Sequence, residues 1–354
     1  MLRLLEETLK QKDFKTICSN FLSLTVLQAL NVILPFLTIP YLIHTIGVEN
    51  YGLLSFIFAF TFFFQIVVEY GFNTVTTREI SIHKDNANKL SEIYSEVIFT
   101  KTSLLVISFL FFSVIIFVIP QLRVYWLLYL LQFGCVLGQA MFPVFVFQGL
   151  QKMKFITYLN VVFKSTFTIC IFLFVKDINH MWLVPFFNAL GFIFSGITAL
   201  FIVKFHFEIS LKAVRFLQIK KQLKSGLYIF LSEFQVNLIA YGNTLILGFL
   251  LGNTAVGIYS TAEKIIRAMG NFQAPIINAL FPFVSNSMQV NRAETFKMLS
   301  KVKIVAVVLL GVFTLLGYIF AYEIFQIIFN KDLKESIVVF RILIFFPLLS
   351  FLDQ

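Results

Sequence analysis

The sequence predicts an all-α protein that crosses a membrane many times. Three observations predict it: the composition, the length of the apolar runs and the placement of the basic residues. Of the 354 residues, 59% are hydrophobic and 13% are charged, and the mean hydropathy is +0.89. Soluble domains carry about 25% charged and about 45–50% apolar residues. The composition therefore excludes a soluble globular fold.

The apolar residues are grouped into runs long enough to span a bilayer. A spanning helix needs about 20 mostly apolar residues, and ten runs approach this length: 19–43, 51–71, 97–119, 124–147, 156–175, 181–203, 226–250, 254–283, 304–322 and 336–352. The connections between them are short and polar. Residues 1–18 are charged and predict an amphipathic segment at the membrane surface.

The basic residues predict which ends of these spans face the cytoplasm. With the N-terminus inside, nineteen of the 28 Lys and Arg residues fall on the cytoplasmic side and four on the opposite side. Cytoplasmic loops of membrane proteins carry this excess of Lys and Arg. The net charge of +10 then follows from topology, and we expect no nucleic-acid partner.

An internal repeat predicts two similar halves. The segment 45-TIGVENYGLLSF-56 resembles 250-LLGNTAVGIYST-261, and Gly47, Gly52 and Ser55 match Gly252, Gly257 and Ser260 at an offset of 205. Six spans precede the second copy, so the copies run parallel, as in transporters whose site lies between two lobes. We expect two pseudo-symmetric lobes around a central cavity: an N-lobe at 19–203 and a partial C-lobe at 226–354, joined by a basic cytoplasmic linker at 204–225.

Span eight carries the clearest polar stripe. Lys264, Arg267 and Asn271 share a helical face with Ser260. A charged group near the middle of a membrane is energetically unfavourable and marks a functional site. Lys264 and Arg267 predict a hydrated cavity and an anionic ligand such as pyrophosphate, which Arg binds in a bidentate fork. The alternative is internal neutralisation by a carboxylate, from Glu263, Glu233 or Glu69.

Further candidates lie in spans one, two, five and seven. Amides and hydroxyls suit sugar hydroxyls, but such residues also hold packed helices together, and both interpretations stay open. Lys101, near the cytoplasmic end of span three, is expected to extend to the membrane surface. The additional substrate-binding candidates are Glu233, Asn237, Gln28, Asn31, Gln65, Glu69 and Lys164.

The sequence lacks the signatures of the common membrane enzymes. It has no phosphate-binding GxxxxGK[ST] loop and no HExxH zinc motif. The three Cys residues are scattered, without the spacing of a zinc site. We therefore expect that the protein is not an enzyme and that it has no catalytic residue, metal site or cofactor.

Three segments carry a family resemblance: 45-TIGVENYGLLSFIFAF-60, 146-VFQGLQKMKFIT-157 and 250-LLGNTAVGIYSTAEKI-265. They resemble the O-antigen flippase family within the multidrug/oligosaccharidyl-lipid/polysaccharide exporter superfamily. The resemblance implies two six-helix lobes, with the first two helices of each lining a central cavity. It also implies an undecaprenyl-pyrophosphate-linked oligosaccharide as substrate and a bacterial inner-membrane location. Twelve spans are expected, so ten imply a truncated second lobe.

The same resemblance sets the expected partners and the alternatives. We expect a monomer that contacts the lipid-linked oligosaccharide and membrane lipids, with a polysaccharide polymerase or glycosyltransferases as further partners. One alternative is a multidrug exporter of the same superfamily, although cationic drugs would favour an acidic cavity. Others are an integral membrane polysaccharide polymerase, which would need a larger periplasmic loop, and a structural partner of a glycan-assembly complex.

Overall fold

The described part of the chain is helical throughout its regular elements. A computed structural model describes residues 2–271 and 292–352, with side chains for 19–268, 304 and 307–351. Within these ranges six helices are long and apolar enough to cross a membrane, and a bent helix pair raises the number to seven. The prediction of an all-α polytopic membrane protein is confirmed.

The first helix contains the first two predicted spans. Helix α1 runs over Leu2–Glu69, but Gly47 leaves helical geometry with φ 83° and ψ 166°. That positive φ is open to glycine at little steric cost. Gly47 therefore separates the two predicted spans, and the segment 2–18 continues directly into the first of them.

The helices that follow correspond to predicted spans three to seven. A one-turn 3₁₀ helix, Ile178–His180, precedes the sixth span. The α-helices are α2 (Phe72–Ile82), α3 (Ala87–Val118), α4 (Pro120–Arg123), α5 (Trp126–Met141), α6 (Val144–Gly149), α7 (Lys154–Phe174), α8 (Leu183–Phe205) and α9 (Phe216–Leu251).

The last predicted spans are less regular than the sequence suggests. The second half of predicted span eight, 272–283, lies outside the described residues. The ninth bends by 71° between two helices, and the tenth consists of two short helices rather than one. The helices here are α10 (Asn253–Asn271), α11 (Arg292–Ile319), α12 (Ala321–Phe329), α13 (Lys334–Leu343) and α14 (Phe346–Leu352).

By packing, the chain divides into two compact units. Unit 1 comprises residues 1–34 and 56–246, and unit 2 comprises 35–55 and 247–354. The predicted lobes come from the sequence repeat rather than from packing, and they stay a prediction.

Unit 1 has an aromatic core and one closely packed helix pair. Phe72, Tyr94, Phe145 and Phe147 are among its buried residues. Helices α5 and α8 meet through glycine: a Cβ added at Gly196 would lie 2.5 Å from the carbonyl oxygen of Gly138. Small residues let membrane helices approach this closely.

Unit 2 packs around the α12–α13 corner. The rings of Phe325 and Phe340 meet edge to face with centroids 5.5 Å apart. His44 Nε2 lies 2.9 Å from the carbonyl oxygen of Phe329, which ties α1 to the end of α12.

Candidate functional site

Lys164 is a cation within a spanning helix of unit 1. Its Nζ lies 3.4 Å from Asn31 Oδ1 and 4.9 Å from the ring centroid of Phe192. Among the described side chains, no Asp or Glu oxygen lies within 4.0 Å of this ammonium. At 1.5 Å per residue, Lys164 is about 15 Å from the start of α7, near the middle of a hydrocarbon core about 30 Å thick. The described neighbours of this charge are therefore an amide and an aromatic ring, and neither carries a negative charge.

Glu69 makes a buried ion pair that the sequence did not predict. Lys101 Nζ lies 2.9 Å from each carboxylate oxygen of Glu69, and its side chain is 1% exposed. Asn73 Nδ2 donates to Glu69 Oε2 at 2.8 Å. The expectation that Lys101 extends to the membrane surface is wrong, because the ion pair holds its ammonium inside the bundle. These bonds favour a structural role for Glu69 over substrate contact.

Glu233 adds a second carboxylate near this pair. It is half-buried on α9, and its charge repels that of Glu69. Asn237 donates through Nδ2 to the Glu233 backbone carbonyl at 2.7 Å, a local bond along one helix. The Glu69, Lys101 and Glu233 side chains together carry a formal charge of −1, so this region does not attract anions.

The predicted cationic stripe of α10 lies in unit 2. Arg267 Nη2 is 2.8 Å from Glu263 Oε1, and Tyr259 Oη is 3.4 Å from the same oxygen. This pairing supports the alternative in which Glu263 neutralises Arg267. Lys264 is one residue from Glu263 on the same helix and takes part in a further interaction. The contacts of both cations with substrate stay predictions.

The remaining candidates are three side chains on α1 and one on α10. Gln28 and Asn31 are exposed on α1, and Gln65 is half-buried on the same helix. Of these three, Asn31 contacts Lys164. The side chain of Asn271 lies outside the described part of the chain.

A polar cluster on α3 was missed by the sequence analysis. Glu96 accepts hydrogen bonds from Gln218 Nε2 at 2.9 Å and Gln222 Nε2 at 2.8 Å. The preceding residue, Ser95, accepts through Oγ from the backbone N–H of Lys212 at 2.8 Å. The predicted linker, which includes the start of α9, is therefore hydrogen-bonded to α3. The spacing of Ser91 and Ser95, four residues apart on one helical face, was the available signal for part of this cluster.

Comparison with known proteins places these features in context. A family model described as polysaccharide biosynthesis protein matches residues 17–288. The chain is 28% identical over 335 residues to a proposed O-antigen transporter of Escherichia coli (strain K12), covering 95% of this chain and 81% of that protein. A proposed O-antigen transporter of Shigella dysenteriae is 28% identical over 290 residues, covering 81% of this chain and 71% of that protein. No solved structure matches the chain.

Proposed function

This chain belongs to the polysaccharide biosynthesis protein family, and from that premise we propose that it is a transporter of polysaccharide precursors. We infer that it moves an undecaprenyl-pyrophosphate-linked oligosaccharide from the cytoplasmic to the periplasmic leaflet of a bacterial inner membrane. The product would supply a surface polysaccharide such as O-antigen. The two relatives named as O-antigen transporters support this assignment.

The observation that carries the proposal is the environment of Lys164. A lysine at mid-membrane without a neighbouring described carboxylate attracts a mobile anion, and a pyrophosphate is such an anion. Asn31 and Gln28, both exposed on α1, can donate to sugar hydroxyls. The same positive charge disfavours the cationic substrates of a multidrug exporter.

The test replaces Lys164 in cells whose surface polysaccharide depends on this protein. Lys164→Met should lower surface polysaccharide about tenfold or more, because a hydrogen bond to a charged group contributes about 1.5–3 kcal/mol. Lys164→Arg keeps the charge and should retain most of the activity. Lys204→Met is the matched control, since Lys204 is exposed at the end of α8.

Membrane levels of each variant must be equal for the comparison to hold. Normal surface polysaccharide in Lys164→Met cells would contradict an anion-binding role for Lys164. Loss of polysaccharide in the Lys204→Met control as well would point to a general effect of removing positive charge.

A further inference from the structure

A groove of about 640 Å³ lies in unit 1 between residues 19–26 of α1 and the start of α7. The two helices are joined in this groove by Thr157 Oγ1, which donates to the Ser23 carbonyl at 2.7 Å. Further along, Lys164 and Asn31 join them again. The contacts advance by seven residues on α7 and eight on α1, so the helices run parallel. The groove therefore leads along one seam toward Lys164.

The lining of the groove is polar at one end and apolar at the other. Lys154, at the first residue of α7, is exposed and lines the groove together with the hydroxyl groups of Ser19 and Tyr158. Beyond them the walls are the aliphatic side chains of Leu22, Val26 and Val161. A ligand that satisfies both ends has an anionic head and a hydrocarbon chain.

The size and the side chains favour a lipid with an anionic head over two simpler ligands. Pockets for small molecules measure about 300–1,000 Å³, so a groove of about 640 Å³ holds a phosphate head and part of a chain. A free phosphate would leave the aliphatic wall uncovered. A neutral hydrocarbon would leave the Lys154 ammonium without a counter-charge.

Two lysines stand at successive depths along this seam. Lys154 lies at the end that the distribution of basic residues places in the cytoplasm, and Lys164 is ten residues further along α7, or about 15 Å. Thr157, Val161 and Lys164 share one helical face, because residues four and three apart are neighbours on a helix. Lys154 and Lys164 thus lie at the two ends of one stretch of α7, with the aliphatic wall of the groove between them.

We propose that the α1–α7 groove is the binding site at which a polyprenyl-linked pyrophosphate lipid first engages the protein from the cytoplasmic leaflet. Lys154 binds the pyrophosphate, and the polyprenyl chain lies along Leu22, Val26 and Val161. This inference rests on the proposed function. A resident phospholipid fits the Lys154 end, but it gives no reason for a second lysine further along the same seam.

The test measures binding of undecaprenyl pyrophosphate to the purified protein in phosphatidylcholine nanodiscs by native mass spectrometry. Lys154→Gln should weaken binding about tenfold, because it removes a charge-assisted contact. Lys152→Gln, two residues away and also exposed but outside the groove, should change binding less than about twofold. Val161→Trp, which fills the groove without changing charge, should abolish high-affinity binding.

Equal weakening by Lys154→Gln and Lys152→Gln would overturn the proposal in favour of a diffuse basic surface. Displacement of the probe by an equal mole fraction of phosphatidylglycerol would assign the groove to a phospholipid instead. Unchanged binding in Val161→Trp, with an unchanged melting temperature, would also overturn it.

The outcome is separable from that of the proposed function. If Lys164→Met abolishes polysaccharide transport while Lys154→Gln leaves binding and transport unchanged, the transporter stands and the groove is not its entrance. If the wild-type protein does not bind undecaprenyl pyrophosphate, both the groove and the proposed substrate are wrong.

Discussion

Gly52 and Gly257 lie against each other in unit 2, and each faces the backbone of the other's segment. A Cβ added at Gly52 would overlap the carbonyl oxygen of Asn253 and lie 2.6 Å from the Gly257 nitrogen, and one added at Gly257 would overlap the carbonyl oxygen of Val48. Val48 and Asn253 are related by the same offset of 205 that relates the two glycines. Such reciprocal contacts are typical of a twofold arrangement.

The backbone preserves the repeat as well. Gly47 and Gly252, again 205 residues apart, have φ values of 83° and 82°. The repeat noticed in the sequence therefore includes conformation and packing. This supports two parallel copies related by an axis along the membrane normal, which stays a prediction.

The contact between Gly52 and Gly257 predicts that added side-chain volume at either position lowers the stability of the protein. Gly52→Ala and Gly257→Ala should each destabilise the protein by at least about 1–3 kcal/mol, because backbone atoms cannot move aside as side chains can. Gly311→Ala is the control, since its added Cβ would meet no described atom within 4 Å apart from its own helical backbone. Thermal unfolding in detergent measures the difference. Equal melting temperatures for all three variants would rule out this close approach.

The buried pair in unit 1 predicts strong coupling between two positions. Lys101→Met leaves the Glu69 carboxylate buried without its cation and should destabilise the protein by about 3–5 kcal/mol. Adding Glu69→Gln should restore much of that loss, because the uncompensated charge is gone. A double-mutant cycle on unfolding free energies checks this, and additive effects would contradict the ion pair.

The α10 pair predicts how Arg267 and Glu263 depend on each other. If Glu263 neutralises Arg267, Arg267→Ala should impair folding more than the double variant Arg267→Ala/Glu263→Ala does. If Arg267 instead binds pyrophosphate, Arg267→Lys should lower transport in part and the double variant should remain inactive. Membrane levels and surface polysaccharide, measured together, distinguish the two roles.

The Glu96 cluster predicts that the linker is held in place. Glu96→Ala removes the acceptor for both Gln218 and Gln222, so trypsin should cleave the linker at Lys212 or Arg215 faster than in the wild type. Glu335→Ala is a suitable comparison, because Glu335 is an exposed carboxylate on α13 in unit 2 and has no described contact with the linker. Identical cleavage rates in all three proteins would argue against a fastened linker.

The charge distribution predicts the orientation of the chain. In a variant without native cysteines, a cysteine at position 49 should react with an impermeant reagent from the periplasm, and one at position 215 should not. Both native side chains are exposed, so accessibility does not limit the reaction. Labelling of both positions from outside would contradict the predicted topology.

Apolar runs, basic loops and the glycine repeat were sufficient to predict the fold class and the position of most spans. These features are local: transfer of one helix into lipid depends mainly on its own residues and flanking charges. The last spans were predicted less well for the same reason. The 71° bend between α11 and α12 is a property of chain geometry, and a local hydropathy pattern carries no information about it.

From the sequence, Lys101, Lys164 and Arg267 are three cations in apolar runs. The pairing of Arg267 with Glu263, four residues away on the same helix, is local and was one of the alternatives that the sequence offered. Only the tertiary structure decided that Lys101 meets the carboxylate of Glu69 and that Lys164 meets an amide and an aromatic ring. The physical reason is that the role of a charged side chain inside a membrane depends on the groups that contact it. For these two lysines those groups lie on other helices, which only packing brings close.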